Sequence, residues 1–200
     1  MYLYTKRCFD VICATFGLLL LAPPFLVVAI CIKLDSSGPV FYRGVRIGLH
    51  GKPFRIFKFR TMRRDAELVG STSTAHNDSR ITSVGRLLRP AKLDEVPQLI
   101  NVLKGEMSLV GPRPEVEEHT AAYIGEEQTI LSVLPGITDY ASIRFHNLNE
   151  LVGSEDPHRV FIEKYRAEKN RLRVLYVRTR SFSTDLKLIF RTFACILVRH

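Results

Sequence analysis

Val11-Ile12-Cys13-Ala14-Thr15-Phe16-Gly17-Leu18-Leu19-Leu20-Leu21-Ala22-Pro23-Pro24-Phe25-Leu26-Val27-Val28-Ala29-Ile30-Cys31-Ile32 runs from Asp10 to Lys33 without a charge. A helix of that length reaches about 33 Å, enough for the hydrocarbon core of a bilayer. A cleaved leader fits poorly: the run is long, no small-residue cleavage site stands out before Lys33, and the chain that follows is very basic. A plain span also fits poorly. Pro23 and Pro24 each lack an N–H and crowd the carbonyls around Leu19 and Leu20, and hydrocarbon offers those carbonyls no water. Lys6 and Arg7 precede the run, while Lys33, Arg43, Arg46 and Lys52 follow it. Basic residues on both flanks favour two cytoplasmic ends. A helix that dips in, breaks at the prolines and returns meets both conditions. The expectation is a re-entrant membrane element over residues 1–35 and a cytosolic domain over residues 36–200.

Beyond Ser36-Ser37-Gly38-Pro39, the stretch from Val40 to Met62 reads as a β-hairpin. Val40, Phe41 and Tyr42 are strand formers, residues 48–51 supply the turn, and Phe54 to Phe59 alternates apolar with basic. Lys58 and Arg60 then belong either to a solvated face or to a phosphate-facing row. Residues 64–79 are polar and rich in Ser and Thr, the composition of a mobile loop. From Ile81 to Arg89, helical spacing puts Val84, Leu87 and Leu88 on one face and Arg86 and Arg89 on another.

Lys92-Leu93-Asp94-Glu95-Val96-Pro97-Gln98-Leu99-Ile100-Asn101-Val102-Leu103-Lys104-Gly105 has helical grammar, with Asp94 as N-cap, Pro97 in the first turn and Gly105 as the stop. Both acids would then lie at the positive end of a helix, a setting that also gathers phosphate. Gly111-Pro112-Arg113-Pro114 is a rigid turn whose functional side chain is Arg113. Glu115, Glu117 and Glu118 after it read as complements of a helix dipole rather than metal ligands. Pro135-Gly136-Ile137-Thr138 reads as another tight turn. From Arg159 to Arg180 basic residues outnumber Glu163 and Glu168, and from Ser183 onward Leu186, Ile189, Phe190, Phe193 and Leu197 recur at helical spacing. That pairing suits a membrane surface, and packing of the last helix on the core suits it equally.

The 200 residues suit one compact domain, or one domain plus a membrane element, and no more. A net charge of +9 favours anionic partners: phosphates, anionic headgroups or nucleic acid. Cys8, Cys13, Cys31 and Cys195 lie in or beside apolar stretches and match no zinc or redox spacing, and the six histidines are scattered. Neither a His/Cys metal site nor a structural disulfide is expected.

Four blocks together resemble the monotopic phosphoglycosyltransferases, the bacterial sugar transferase family. They are the proline-containing apolar helix before Ser37-Gly38-Pro39-Val40, then Lys58-Phe59-Arg60-Thr61-Met62, then Lys92 through Pro114, and lastly Pro135-Gly136-Ile137-Thr138. The third is long and specific. Ser183-Thr184-Asp185-Leu186-Lys187 is similar to the family's closing amphipathic helix. The resemblance implies an α/β, mainly helical fold. A proline-broken re-entrant helix, a small β-hairpin and amphipathic interfacial helices would surround a compact catalytic core. It also implies transfer of a sugar phosphate from a UDP-sugar to undecaprenyl phosphate, releasing UMP, with Mg²⁺ and a covalent phospho-sugar on Asp94. Glu95 would assist, by proton handling or by metal positioning. Lys58, Arg89 and Arg113 match positions expected to hold phosphate, with Arg60 and Arg86 as further candidates, and Asp94 is the candidate metal ligand. The expected partners are the donor, the acceptor lipid and the bacterial inner membrane at its cytoplasmic face, with no nucleic acid; a homodimer is left open.

Two features depart from the family. Ala22-Pro23-Pro24 stands where Ser-Pro is common, so the bend must be held differently. Asp139-Tyr140-Ala141-Ser142 stands where many relatives have Gly and then an aromatic or apolar residue, a loop that bears on substrate choice. The competing expectation is a non-enzymatic, membrane-anchored basic module that binds anionic lipid or nucleic acid, with Asp94 dispensable and binding steeply salt-dependent.

Overall fold

A computed structural model describes residues 2–63, 78–146 and 157–198. The polar stretch expected to form a mobile loop lies outside the described residues except for Asp78 and Ser79.

The apolar run forms α1 (Tyr2–Asp35), with Pro23 and Pro24 inside the helix rather than ending it. By length and composition α1 suffices to cross a membrane. One face is packed. Arg7 donates to the carbonyls of Val102 and Leu103 at 2.6 and 3.0 Å, Asp10 Oδ1 accepts the Leu109 N–H at 3.1 Å, and Ala14 is fully buried. Further along, Ile32 packs with Phe59 and Leu88, and Asp35 Oδ2 accepts the Val84 N–H at 2.9 Å. The other face leaves Ile12, Phe16, Leu19, Leu20, Leu26 and Val27 exposed. Both ends of α1 are thus bonded to the same folded body.

The hairpin is present, split into two antiparallel ladders. β1 (Phe41–Tyr42) pairs with β4 (Lys58–Phe59), and β2 (Val45–Ile47) pairs with β3 (Pro53–Arg55), around a 3₁₀ turn at Leu49–Gly51. Gly44 sits at the break between ladders, where a Cβ would lie 2.2 Å from the Tyr42 hydroxyl. The Arg43 guanidinium stacks 3.5 Å over the Phe57 ring.

Helix α2 (Ser83–Leu88) is capped by Thr82, whose Oγ1 accepts the Gly85 N–H. Leu88 is buried against α1, but Leu87 is 76% exposed. The expected three-residue apolar face is therefore narrower, because α1 covers only the Val84–Leu88 ridge. After a 3₁₀ turn at Leu93–Glu95 comes α3 (Gln98–Lys104), closed by Gly105 at φ 79°. Asn101 on α3 ties it to the hairpin, accepting the Phe57 N–H and donating to the Arg55 carbonyl.

Pro135-Gly136-Ile137-Thr138 is not a tight turn. β6 (Gly136–Thr138) runs parallel to β5 (Ser108–Val110), in register Ser108 with Gly136 and Val110 with Thr138. The strand forms because Gly111 and Gly136 let the two backbones nearly touch: a Cβ on Gly136 would lie 2.0 Å from the Gly111 nitrogen. Between them lie α4 (Glu117–Ala121) and a 3₁₀ segment, Gly125–Ser132. Glu117 and Glu118 occupy the first turn of α4 as expected, whereas Glu115 precedes the helix and serves as an ion-pair hub.

The chain closes with α5 (Tyr140–Arg144), α6 (Pro157–Val160), a π turn (Phe161–Tyr165), α7 (Arg166–Thr179) and α8 (Phe182–Val198). The basic stretch is only partly a surface. Arg173 of α7 is 1% exposed and binds Glu115 Oε1 at 2.7 Å. Helix α8 packs on the core through Leu188, with Phe190 and Phe193 outside. Asp185 of α8 joins the two ends of the chain. It receives Tyr2 Oη at 2.9 Å, Lys6 Nζ at 2.8 Å and Tyr176 Oη at 2.8 Å, and Lys6 also donates to the Val110 carbonyl.

Candidate active site

The acids and most of the cations named from sequence converge where the hairpin, the end of α2 and the turn before α3 meet. Asp94 is not an N-cap. It lies inside the 3₁₀ turn Leu93–Glu95, and α3 begins at Gln98 after Pro97, with no side-chain cap. Pro97 lacks the N–H that a continuous helix would use, so the chain enters α3 through a tighter turn. With α3 only seven residues long, the helix-dipole argument for phosphate binding falls away. What surrounds the acids is side-chain charge.

Glu95 is fully engaged. Arg113 grips it as a fork, Nη1 to Oε2 at 2.6 Å and Nη2 to Oε1 at 2.5 Å, and Lys58 Nζ donates to Oε1 at 2.9 Å. Arg113 Nη1 also reaches the Ile137 carbonyl at 3.2 Å, so β6 helps to aim it. Burial alone would push the Glu95 carboxyl up, but the charges of Arg113 and Lys58 and the Arg113 hydrogen bonds hold it well below the usual carboxylate range.

Asp94 is the opposite case. It is buried, and among the described residues its carboxylate has no hydrogen-bond or ion-pair partner. Burial, followed by the charge of Glu95, pushes its pKa up, while Lys58, Arg89 and Lys92 act against that rise. A carboxylate so placed is more basic than usual, ringed by cations and free to react. Arg89, the C-cap of α2, anchors Nε on Thr61 Oγ1 at 2.9 Å and faces Asp94 and Asp78.

Two expected phosphate contacts lie elsewhere. Arg60 is 6% exposed and closes the end of α1, donating to the carbonyls of Ile32, Ser36 and Ser37 at 3.3, 2.6 and 2.8 Å and to Ser36 Oγ. The Ser36 and Ser37 carbonyls lie past the last turn of the helix and are satisfied by Arg60, which shares the Ile32 carbonyl with the Ser36 N–H. Arg86 is exposed on α2 and acts on Asp35, not on the acid pair.

Sequence reading missed Lys92, which lies among Glu95, Arg113, Asp94 and Lys58. Its signal was present, a basic residue two positions before Asp94. It also missed a second buried cluster, in which Arg173, Lys169 and the Tyr123 hydroxyl converge on Glu115. Burial works against the Glu115 charge, but Arg173 and Lys169 bring its pKa down to about 2. Asp139, from the loop that departs from the family, caps α5 through Ser142 and stands 3.9 Å from Arg173 Nε. This cluster fixes the chain beside Arg113.

Among the described residues no three acidic, histidine or cysteine side chains converge as a metal cage. Asp94 alone keeps free carboxylate oxygens near the cations. That donor set suits a Mg²⁺ that takes most of its other ligands from phosphate and water.

A free acid among cations, in a chain with an exposed apolar helix, is suited to handling phosphate. The chain belongs to the bacterial sugar transferase family, whose sequence profile matches residues 1–199, and it is a phosphoglycosyltransferase. It is 38% identical over 195 residues to the UDP-glucose:undecaprenyl-phosphate glucose-1-phosphate transferase of Caulobacter vibrioides, covering 96% of this chain and 69% of the relative. It is 38% identical over 210 residues to the exopolysaccharide production protein PSS of Rhizobium leguminosarum bv. phaseoli, covering 100% and 98%. It is 34% identical over 200 residues to the UDP-N-acetylgalactosamine-undecaprenyl-phosphate N-acetylgalactosaminephosphotransferase of Aeromonas hydrophila, covering 98% of this chain and 44% of the relative. Other curated relatives are longer still, and the chain spans only 39% of those from Klebsiella pneumoniae and Escherichia coli.

Proposed function

We propose that the chain transfers a sugar 1-phosphate from a UDP-sugar to undecaprenyl phosphate, through a phospho-sugar carried on Asp94. The observation behind this is the contrast within the acid pair: Glu95 is spent on Arg113 and Lys58, whereas Asp94 is buried and unpaired. A carboxylate oxygen of Asp94 attacks the donor's sugar-bearing phosphorus. The bond from that phosphorus to the bridging oxygen breaks, and UMP leaves with the bond's electrons. A phosphate oxygen of the lipid then attacks the same phosphorus, displaces Asp94 and gives a lipid diphosphosugar. Arg89 and Lys58 favour the charge that builds up on the phosphoryl oxygens. Glu95 holds Arg113 and Lys58 in place, a reading that replaces a proton-handling role with a positioning one. Mg²⁺, held by Asp94 and the donor, would supply further neutralisation of the diphosphate.

Names of relatives support a polyprenyl-phosphate acceptor and a place in exopolysaccharide assembly. They differ in the sugar, glucose in one and N-acetylgalactosamine in another, so the donor is proposed only as a UDP-sugar. Residues 1–35 would be the membrane-embedded part and residues 36–200 the catalytic domain at the cytoplasmic face of the inner membrane. Supporting the re-entrant form, Arg7 and Asp35 bind the same body although a straight α1 would hold them about 40 Å apart. The test is a UMP-release screen across UDP-sugars with undecaprenyl phosphate, run beside Asp94→Asn. One sugar should give turnover that the variant lacks while keeping its fold and membrane association. Undiminished release by Asp94→Asn rules the reading out.

A further inference from the structure

Lys92 precedes Asp94 by two residues, with its backbone in the left-handed region at φ 56° and ψ 19°. Its N–H donates to the Arg89 carbonyl at 3.1 Å, and its carbonyl accepts the Glu95 N–H at 3.1 Å. Lys92 thereby joins the end of α2 to the turn that presents Asp94. A residue with a Cβ loses about 1–2 kcal/mol in that conformation, and glycine does not. A turn that mattered only as a turn would favour Gly or Asn. Lysine there points to a use for the side chain.

The neighbours indicate which use. Lys58 and Arg113 are committed to Glu95, and Arg89 is anchored on Thr61. The half-buried Lys92 ammonium has no hydrogen-bond or ion-pair partner among the described residues, yet it is near enough to Asp94 and Glu95 to favour their charged forms. An ammonium without a partner, next to a turn that carries the acid pair, is available to an anionic ligand.

Building on the transfer reaction proposed above, we propose that Lys92 is a donor-binding residue whose ammonium takes the diphosphate of the nucleoside-diphosphate sugar. It adds a charge that no carboxylate shares to those of Lys58 and Arg113, which Glu95 shares. Glycine removes the backbone cost together with the charge, whereas Arg and Met keep the cost, so its two contributions, turn and charge, can be separated by substitution.

The probe is UDP, which carries both phosphates, titrated calorimetrically into the full chain in lipid nanodiscs, with thermal unfolding and steady-state UMP release measured on the same preparations. Lys92→Gly removes the left-handed cost together with the charge. It should melt at or above the parent's temperature, bind UDP at least about tenfold more weakly, and show a matching rise in donor KM. Lys92→Arg and Lys92→Met share the parent's backbone cost, so Arg should keep most of the UDP affinity and Met should lose it, even if glycine unsettles the turn. Equal UDP affinity in parent, Arg and Met variants overturns the assignment. The two proposals fail separately. A parent that binds UDP through Lys92 but releases no UMP from any UDP-sugar sinks the transfer reading and leaves Lys92 an anion site.

Discussion

Adjacent carboxylates at Asp94 and Glu95 meet opposite fates because the cations around them are unequally shared. Arg113 and Lys58 close on Glu95, and Asp94 keeps its oxygens free. Glu95→Gln should therefore act through structure as well as activity. It frees two part-buried cations and should cost about 2–3 kcal/mol in denaturant unfolding. That is less than the ~3–5 kcal/mol of a fully buried pair, since Lys58 and Arg113 retain 22% and 26% side-chain exposure. The pH dependence follows from the same contrast. The folded pKa of Glu95 is depressed, so its pairs stabilise the fold above the unfolded value of about 4.3, and that contribution fades as pH falls through the lower folded value. Asp94 is shifted upward and takes its proton first. Activity should thus be lost on acidification before the fold is, with the acid limb of kcat/KM above the ordinary aspartate range. A limb that coincides with unfolding by circular dichroism contradicts this. The block from Lys92 to Pro114 made the acid pair, Arg113 and, with the hairpin, Lys58 legible in the sequence. Which cation holds which acid was not legible, because Lys58 and Arg113 reach Glu95 from separate elements.

Arg60 shows how an element can claim a residue that composition assigns to a ligand. In an alternating basic strand it looked available to phosphate; in the fold it closes α1 against the hairpin. Arg60→Met should lower stability by about 1–2 kcal/mol through the unpaired, part-buried Ser36 carbonyl and the lost clamp on the end of α1, while the donor KM of the folded fraction stays unchanged. A raised KM at unchanged stability would return Arg60 to the site. The hairpin was readable from strand formers and glycine turns. The parallel pair β5–β6 was not, because it depends on Gly111 and Gly136 meeting across a gap in sequence, and a lone Pro-Gly reads as a turn. Gly136→Ala should abolish that pair, release the Ile137 carbonyl from Arg113, and cost more than about 3 kcal/mol.

At the scale of the whole molecule, the ends of the chain are tied together. Tyr2 and Lys6 meet Asp185 of α8, Arg7 meets α3, and Asp35 meets α2. Lys6 and Asp10 also tie α1 to the strand that leads into Arg113, through the Val110 carbonyl and the Leu109 N–H. Single cysteines at Leu3 and Ser36, with the native cysteines replaced, should both label from the cytoplasmic side; labelling from opposite sides contradicts the re-entrant form. The apolar run disclosed a long helix able to cross a membrane, but the contacts that bring both its ends to one body are long-range and had no local signature. Central to all of this is the bond proposed for Asp94. Incubate the full chain with Mg²⁺ and the competent UDP-sugar, without acceptor lipid, and measure the intact mass. The account predicts an added sugar phosphate on Asp94 that disappears when undecaprenyl phosphate is supplied. A fully active preparation that never carries that mass contradicts it.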